Sequence, residues 1–69
     1  MDHMRVIVYH NKDKSFTVAL ENINTGYQFH LKVIENIYPS LEKNMLNKAL
    51  EYGRELSKFL KCEMQEQYY

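Results

Sequence analysis

The sequence predicts a small α+β fold: a three-stranded antiparallel meander followed by one long C-terminal helix packed on one sheet face (β-β-β-α). Three observations carry this. Up to Val33 apolar and polar residues tend to alternate, the two-residue period of strands. From Leu41 onward apolar residues recur every three or four positions, the period of a helix. Two short polar segments interrupt the alternating region, and short connections between adjacent strands favour antiparallel pairing.

Met4–His10 is rich in β-branched and aromatic residues and reads as the first strand. Asn11-Lys12-Asp13-Lys14 is a polar turn. Ser15–Glu21 is the second strand, with Phe16, Val18 and Leu20 on one side and Ser15, Thr17, Ala19 and Glu21 on the other. Residues 22–26 form the second turn, in which Gly26 or Asn24 suits a positive φ. Tyr27–Val33 is the third strand, predicted to point Tyr27, Phe29, Leu31 and Val33 inward and Gln28, His30 and Lys32 outward.

Residues 35–39 connect to the helix, with Ser40 as N-cap, Pro39 keeping the approach extended and Glu42 placing negative charge in the first turn. The helix is expected over Leu41–Met64, with a stripe of Met45, Leu46, Ala49, Leu50, Gly53, Leu56 and Leu60. Ala49 and Gly53 lie four apart in that stripe and allow a close approach to the sheet. Such a helix spans about 36 Å, whereas a seven-residue strand spans about 23 Å. The helix then overhangs the sheet and exposes Phe59, Leu60 and Met64. The alternative is a helix that stops near Lys61, with residues 62–69 folding back as a short extension or fourth strand.

With 69 residues, the chain holds a single domain that buries only about 60% of its unfolded surface, so stability is marginal without staples or a partner. His3-Met4 matches the codons of a cloning site, so residues 1–3 read as a scar and residues 4–69 as the domain. Cys62 is the lone cysteine, which removes internal disulfides and fits a reducing compartment, so the cytoplasm is expected. No leader or apolar run long enough to span a membrane is read. Nine basic residues balance nine acidic ones, which disfavours a protein held on nucleic acid by phosphate contacts. Asn, Lys, Ile and Tyr are abundant while Gly, Ala, Arg and Pro are scarce, the signature of an AT-rich gene such as that of a low-GC bacterium or its phage.

Two groups of residues stand out as binding candidates. The outward sheet face carries Arg5, Ile7, Tyr9, Thr17, Gln28, His30 and Lys32, a mixture that suits either a protein contact or nucleic acid lying on strands. The helix and tail carry Tyr52, Phe59, Leu60, Met64, Tyr68 and Tyr69, and exposed aromatics anchor interfaces. His10 and His30 fall on opposite faces, and no Cys or paired carboxylates complete a ligand set, so neither a metal nor a cofactor is expected. Two glycines exclude a glycine-rich phosphate loop. One sheet and one helix offer little concavity, so catalysis is not expected.

Three strands followed by a helix, with Tyr27–Val33 leading to helical Lys48-Ala-Leu-Glu-Tyr-Gly-Arg54, resemble the DNA-binding arms of phage and transposon integrases and plant AP2-type domains. The likeness is topological. Those domains read DNA through basic and aromatic residues on the sheet, for which this face offers Arg5, Lys32, Tyr9 and His30. The expected function is non-enzymatic binding of a protein partner or of a second copy. Its concrete form is a phage or mobile-element accessory protein that inhibits or modulates a host protein; a DNA-binding domain using the sheet face is the alternative.

Overall fold

The computed structural model describes residues 3–35 and 42–68. Expectations for Pro39, Ser40, Leu41 and Tyr69 therefore lie outside the described residues. The elements are β1 (Met4–His10), β2 (Phe16–Asn22), β3 (Gln28–Ile34), α1 (Glu42–Leu60) and β4 (Glu63–Tyr68). The fold is α+β, but the sheet has four strands in the order β3-β2-β1-β4 and is mixed. β1 pairs antiparallel with β2 and β2 with β3, as the meander requires, whereas β4 runs parallel to β1. Since β3 is also parallel to β1, α1 is the crossover that carries the chain from one sheet edge to the other.

Local chemistry explains both turns. Asn11 N–H donates to Ser15 O at 2.9 Å, and Asp13 Oδ1 accepts from both Ser15 N and Ser15 Oγ. This Asx-type bonding holds Lys14 at φ +71°, a left-handed conformation for a residue with a Cβ. In the second turn Asn22 Oδ1 accepts from Asn24 N and Thr25 N, and Gly26 takes the left-handed position at φ +76°. The sheet continues to the chain start, where Ile23 N–H donates to His3 O at 2.8 Å.

The long helix expected through Met64 is corrected: it ends at Leu60 and Met64 lies in β4, the alternative of a stop near Lys61 followed by a fourth strand. The stop is a Schellman motif, with Lys61 at φ +53°, Cys62 N–H donating to Ser57 O and Lys61 N–H to Lys58 O. The chain thereby reverses and lays Cys62 and Met64 against the core.

Val6, Val8, Phe16, Val18 and Ala49 form the buried centre, with Leu20, Ile34, Met45, Leu46, Leu50 and Leu56 packed around it. Helix α1 settles on β1, β2 and β4. A Cβ placed on Gly53 lies 2.9 Å from Met64 Sδ and 3.0 Å from Val8 Cγ2, so this residue marks the closest approach of helix to sheet.

Strand β3 departs most from expectation. Tyr27, Phe29, Leu31 and Val33, predicted to point inward, are 62%, 51%, 43% and 54% exposed. There are two causes. β3 is an edge strand outside the main footprint of α1. A bulge also shifts its register: Val18 faces Lys32 but Ala19 faces His30, leaving Leu31 unpaired. The bulge turns Lys32 to the helix side opposite Val18 and Val33 to the outer side opposite Thr17, the reverse of strict alternation.

Candidate functional site

The outer sheet face gathers Arg5, Ile7 and Tyr9 from β1, Thr17 and Ala19 from β2, and Gln28 and His30 from β3, as their pairing requires. It is not the open platform expected for this face. Ile7 and Ala19 are almost wholly buried, and Tyr9 and Thr17 are nearly so. Ile7, Tyr9 and Ala19 make a second small apolar cluster, with the His30 ring 6.4 Å from that of Tyr9. Thr17 Oγ1 accepts from Asn11 Nδ2 at 2.9 Å. Lys32 is exposed on the other side of the strand.

Arg5 is likewise engaged. Its Nε donates to Glu21 Oε1 at 2.6 Å and its Nη2 reaches the same oxygen, while Gln28 Nε2 donates to Glu21 Oε2 at 2.6 Å. Three adjacent strands are thus tied by one carboxylate. The hydrogen bond from Gln28, assisted by Arg5, holds the Glu21 carboxyl below the usual glutamate range. A folded-state pKa below the unfolded one stabilises the domain above the unfolded value, about 4.3, and that contribution is lost as pH falls through the folded value. Asp13 acts in the same direction, lowered by the hydrogen bonds from Ser15. Glu21→Gln is therefore expected to lower the urea midpoint at pH 7 and to converge on the parent protein near pH 3. A gap that stays constant with pH would assign the loss to shape rather than charge.

At the opposite end of β1, on the helix side, His10 stacks on Tyr68 with ring centroids 4.0 Å apart and meets Phe16 edge-on at 5.3 Å. His10 Nε2 lies 3.1 Å from Glu66 Oε1. Tyr68, treated above as a tail residue, is thus part of β4 and helps fasten it to β1. His10 and His30 stand on opposite faces. Among the described residues no group of three or more His, Cys, Asp or Glu side chains is placed to hold a metal ion, and no helix is long and apolar enough to cross a membrane.

Among the described residues, two exposed apolar surfaces stand out. One is the edge formed by β3 and its approach, with Tyr27 and Phe29 in edge-on contact at 4.8 Å, followed by Leu31 and Val33. The other is the flank of α1, where Phe59 is 83% exposed and Tyr52, seven residues earlier, is 39% exposed. Leu60 and Met64 are only partly exposed, and Met64 belongs to the core rim. The β3 residues were missed as a surface because alternation reveals which side chains share a face, not whether anything covers it. Comparisons of the chain with protein-family models, with curated proteins and with solved structures find no match in any of the three.

Proposed function

We propose that this protein is a non-enzymatic protein-binding module, an accessory protein of a phage or mobile element that modulates a host protein. The observation that carries it is the β3 edge, where Phe29, Leu31 and Val33 stay exposed beside backbone groups that no neighbouring strand of the described sheet engages. Such an edge is a template for strand addition, in which main-chain hydrogen bonds give affinity and alternate side chains give specificity. Phe59 and Tyr52 add a second aromatic contact area on the helix. The two described serine hydroxyls bond locally: Ser15 donates to Asp13 and Ser57 to the Arg54 carbonyl. With Arg5 paired and Ile7 and Tyr9 buried, the sheet face presents little to a nucleic acid.

The test is capture of a host protein by the immobilised chain, compared with Phe29→Lys/Val33→Lys, Phe59→Ala and Lys32→Ala. The expected result is loss of capture with the paired lysine substitutions, weakening by Phe59→Ala and no change with Lys32→Ala. Labelled duplex DNA should show no binding at low salt. Binding that collapses as salt rises and weakens with Lys32→Ala would overturn the proposal in favour of a DNA-binding domain.

A further inference from the structure

We infer that the corner between α1 and β3 receives an amphipathic helix of another protein, laid alongside α1 on the helix side of the sheet. This rests on the reading of the chain as a protein-binding module and names the shape of what it binds. It calls for no pairing along the β3 backbone.

The floor of the corner follows from widths. Neighbouring strands lie about 4.8 Å apart, so four of them span roughly 14 Å between the outer axes. A helix about 10 Å across covers two or three of them. Here α1 covers β1, β2 and β4 and leaves the helix side of β3 bare. That side carries Phe29 opposite Leu20, Lys32 opposite Val18 and Ile34 opposite Phe16. An apolar sheet face is buried by packing a further element on it.

The flank of α1 supplies the wall. Gly53 points at Val8 and Met64. At 3.6 residues per turn, Tyr52 and Phe59 stand about 100° and 120° to one side of it. Strands β3 and β4 are parallel and are joined through α1, and such crossovers are right-handed in about 98% of cases. In that hand the side of α1 bearing Tyr52 and Phe59 overhangs β3, and its other side overhangs β4. The two exposed apolar surfaces then become the floor and wall of one corner.

An inside corner of this width fits a cylinder. A helix of about 15 residues is ~23 Å long, the length of a seven-residue strand, and packs about 8–10 Å from a neighbouring helix. Apolar residues at i, i+3, i+4 and i+7 of such a helix reach Phe29 below and Tyr52 and Phe59 beside. Lys32 lays its stem along that face and keeps its ammonium in water, so its charge is not part of the recognition. Among the described residues α1 is the only helix, and its apolar stripe already faces the sheet. A second copy therefore has no free amphipathic helix to offer.

The probe is a displayed library of amphipathic helical peptides of about 15 residues, constant on the polar face and randomised on the apolar one, selected against the full chain. Enriched peptides should gain helicity on binding, read by circular dichroism, and lose binding when proline is placed at their centre. Phe29→Lys and Phe59→Lys should each weaken a selected peptide at least about tenfold, on the scale of a hydrophobic anchor lost from an interface. Val33→Lys, on the outer side of β3, should leave its affinity unchanged. All three variants should keep the parent's far-UV spectrum. Failure to enrich any helix overturns the inference. So does a peptide that binds without gaining helicity, or one weakened equally by Val33→Lys, since both describe a strand at the β3 edge. A parent chain that sediments as a dimer lost with Phe59→Lys gives the corner to a second copy and also overturns it. If no helix binds while Phe29→Lys/Val33→Lys still abolishes capture of a host protein, only the helix is refuted and protein binding stands. If the paired lysines leave capture unchanged as well, both fall.

Discussion

Gly53→Val is expected to leave the domain largely unfolded at neutral pH, and Gly53→Ala to lower its stability by about 1 kcal/mol although alanine is the better helix former. Two terms oppose each other. Replacing a helical glycine with alanine gains about 1 kcal/mol of intrinsic propensity. Against it, the new Cβ stands 2.9 Å from Met64 Sδ and 3.0 Å from Val8 Cγ2. The thioether can swing aside, but Val8 is fully buried on an inner strand flanked by β2 and β4. Overpacking of this kind costs about 1–3 kcal/mol, so it outweighs the propensity gain by a modest margin. Valine adds two methyl groups at the same point and loses the helical advantage. Its cost then approaches the whole stability of a domain this size, on the order of 3–10 kcal/mol. Urea titration followed by circular dichroism measures both variants. An alanine variant more stable than the parent would show that β1 yields at Val8 and that the helix has room to lift.

The Gly53 contact was legible in the sequence because it depends on periodicity alone: two small residues four apart in an apolar stripe must face whatever the stripe faces. The meander was legible for the same reason, since Met4–His10 and the two turns carry period and turn chemistry together. The end of the helix was legible only as the alternative to a longer helix. A Schellman stop usually announces itself with glycine, but here Lys61 takes the left-handed position. The apolar spacing also runs on through Leu60 to Met64, so a change from helix to strand leaves no break in the pattern. The outer face misled in a different way. Ile7 and Tyr9 read as outward residues on an open sheet, yet β4 flanks β1 on its second side and Arg5 is drawn across to Glu21. Both are buried with Ala19 in a second small apolar cluster, and β1 also pairs with positions 63–68, long-range facts that no local window contains. The exposed β3 surface was hidden by its own regularity, because the Leu31 bulge that redistributes the apolar side chains has no glycine or proline to mark it.

Deleting residues 63–69 is expected to abolish cooperative unfolding and to make the remaining chain aggregate. β1 holds four consecutive buried residues, Val6 to Tyr9. The strand is an inner one, with a hydrogen-bonded ladder to β2 on one side and to β4 on the other. Without β4, β1 becomes an edge, and six paired positions lose their ladder. Main-chain hydrogen bonds contribute about 0.5–1.5 kcal/mol each, and burial of a side chain such as Met64 about 1.5–3 kcal/mol. The His10–Tyr68 stack and the Glu66 contact go with them. Together these losses exceed what a domain of this size holds in reserve. Tyr68→Ala, which removes only the stack, should lower the urea midpoint and keep a single transition. The aggregation has a directional cause. In the intact chain the polar residues of β4 cap the most apolar strand of the sheet and leave β3 as its single apolar edge. Truncation exposes a second edge, Val6-Ile7-Val8-Tyr9, uncharged and rich in β-branched residues, the composition that seeds edge-to-edge pairing. An apolar edge at each side permits open-ended edge-to-edge pairing, so the truncated chain should form β-rich aggregates that bind amyloid dyes. A truncated chain that stays soluble with the parent's midpoint would instead make residues 63–69 a dispensable tail.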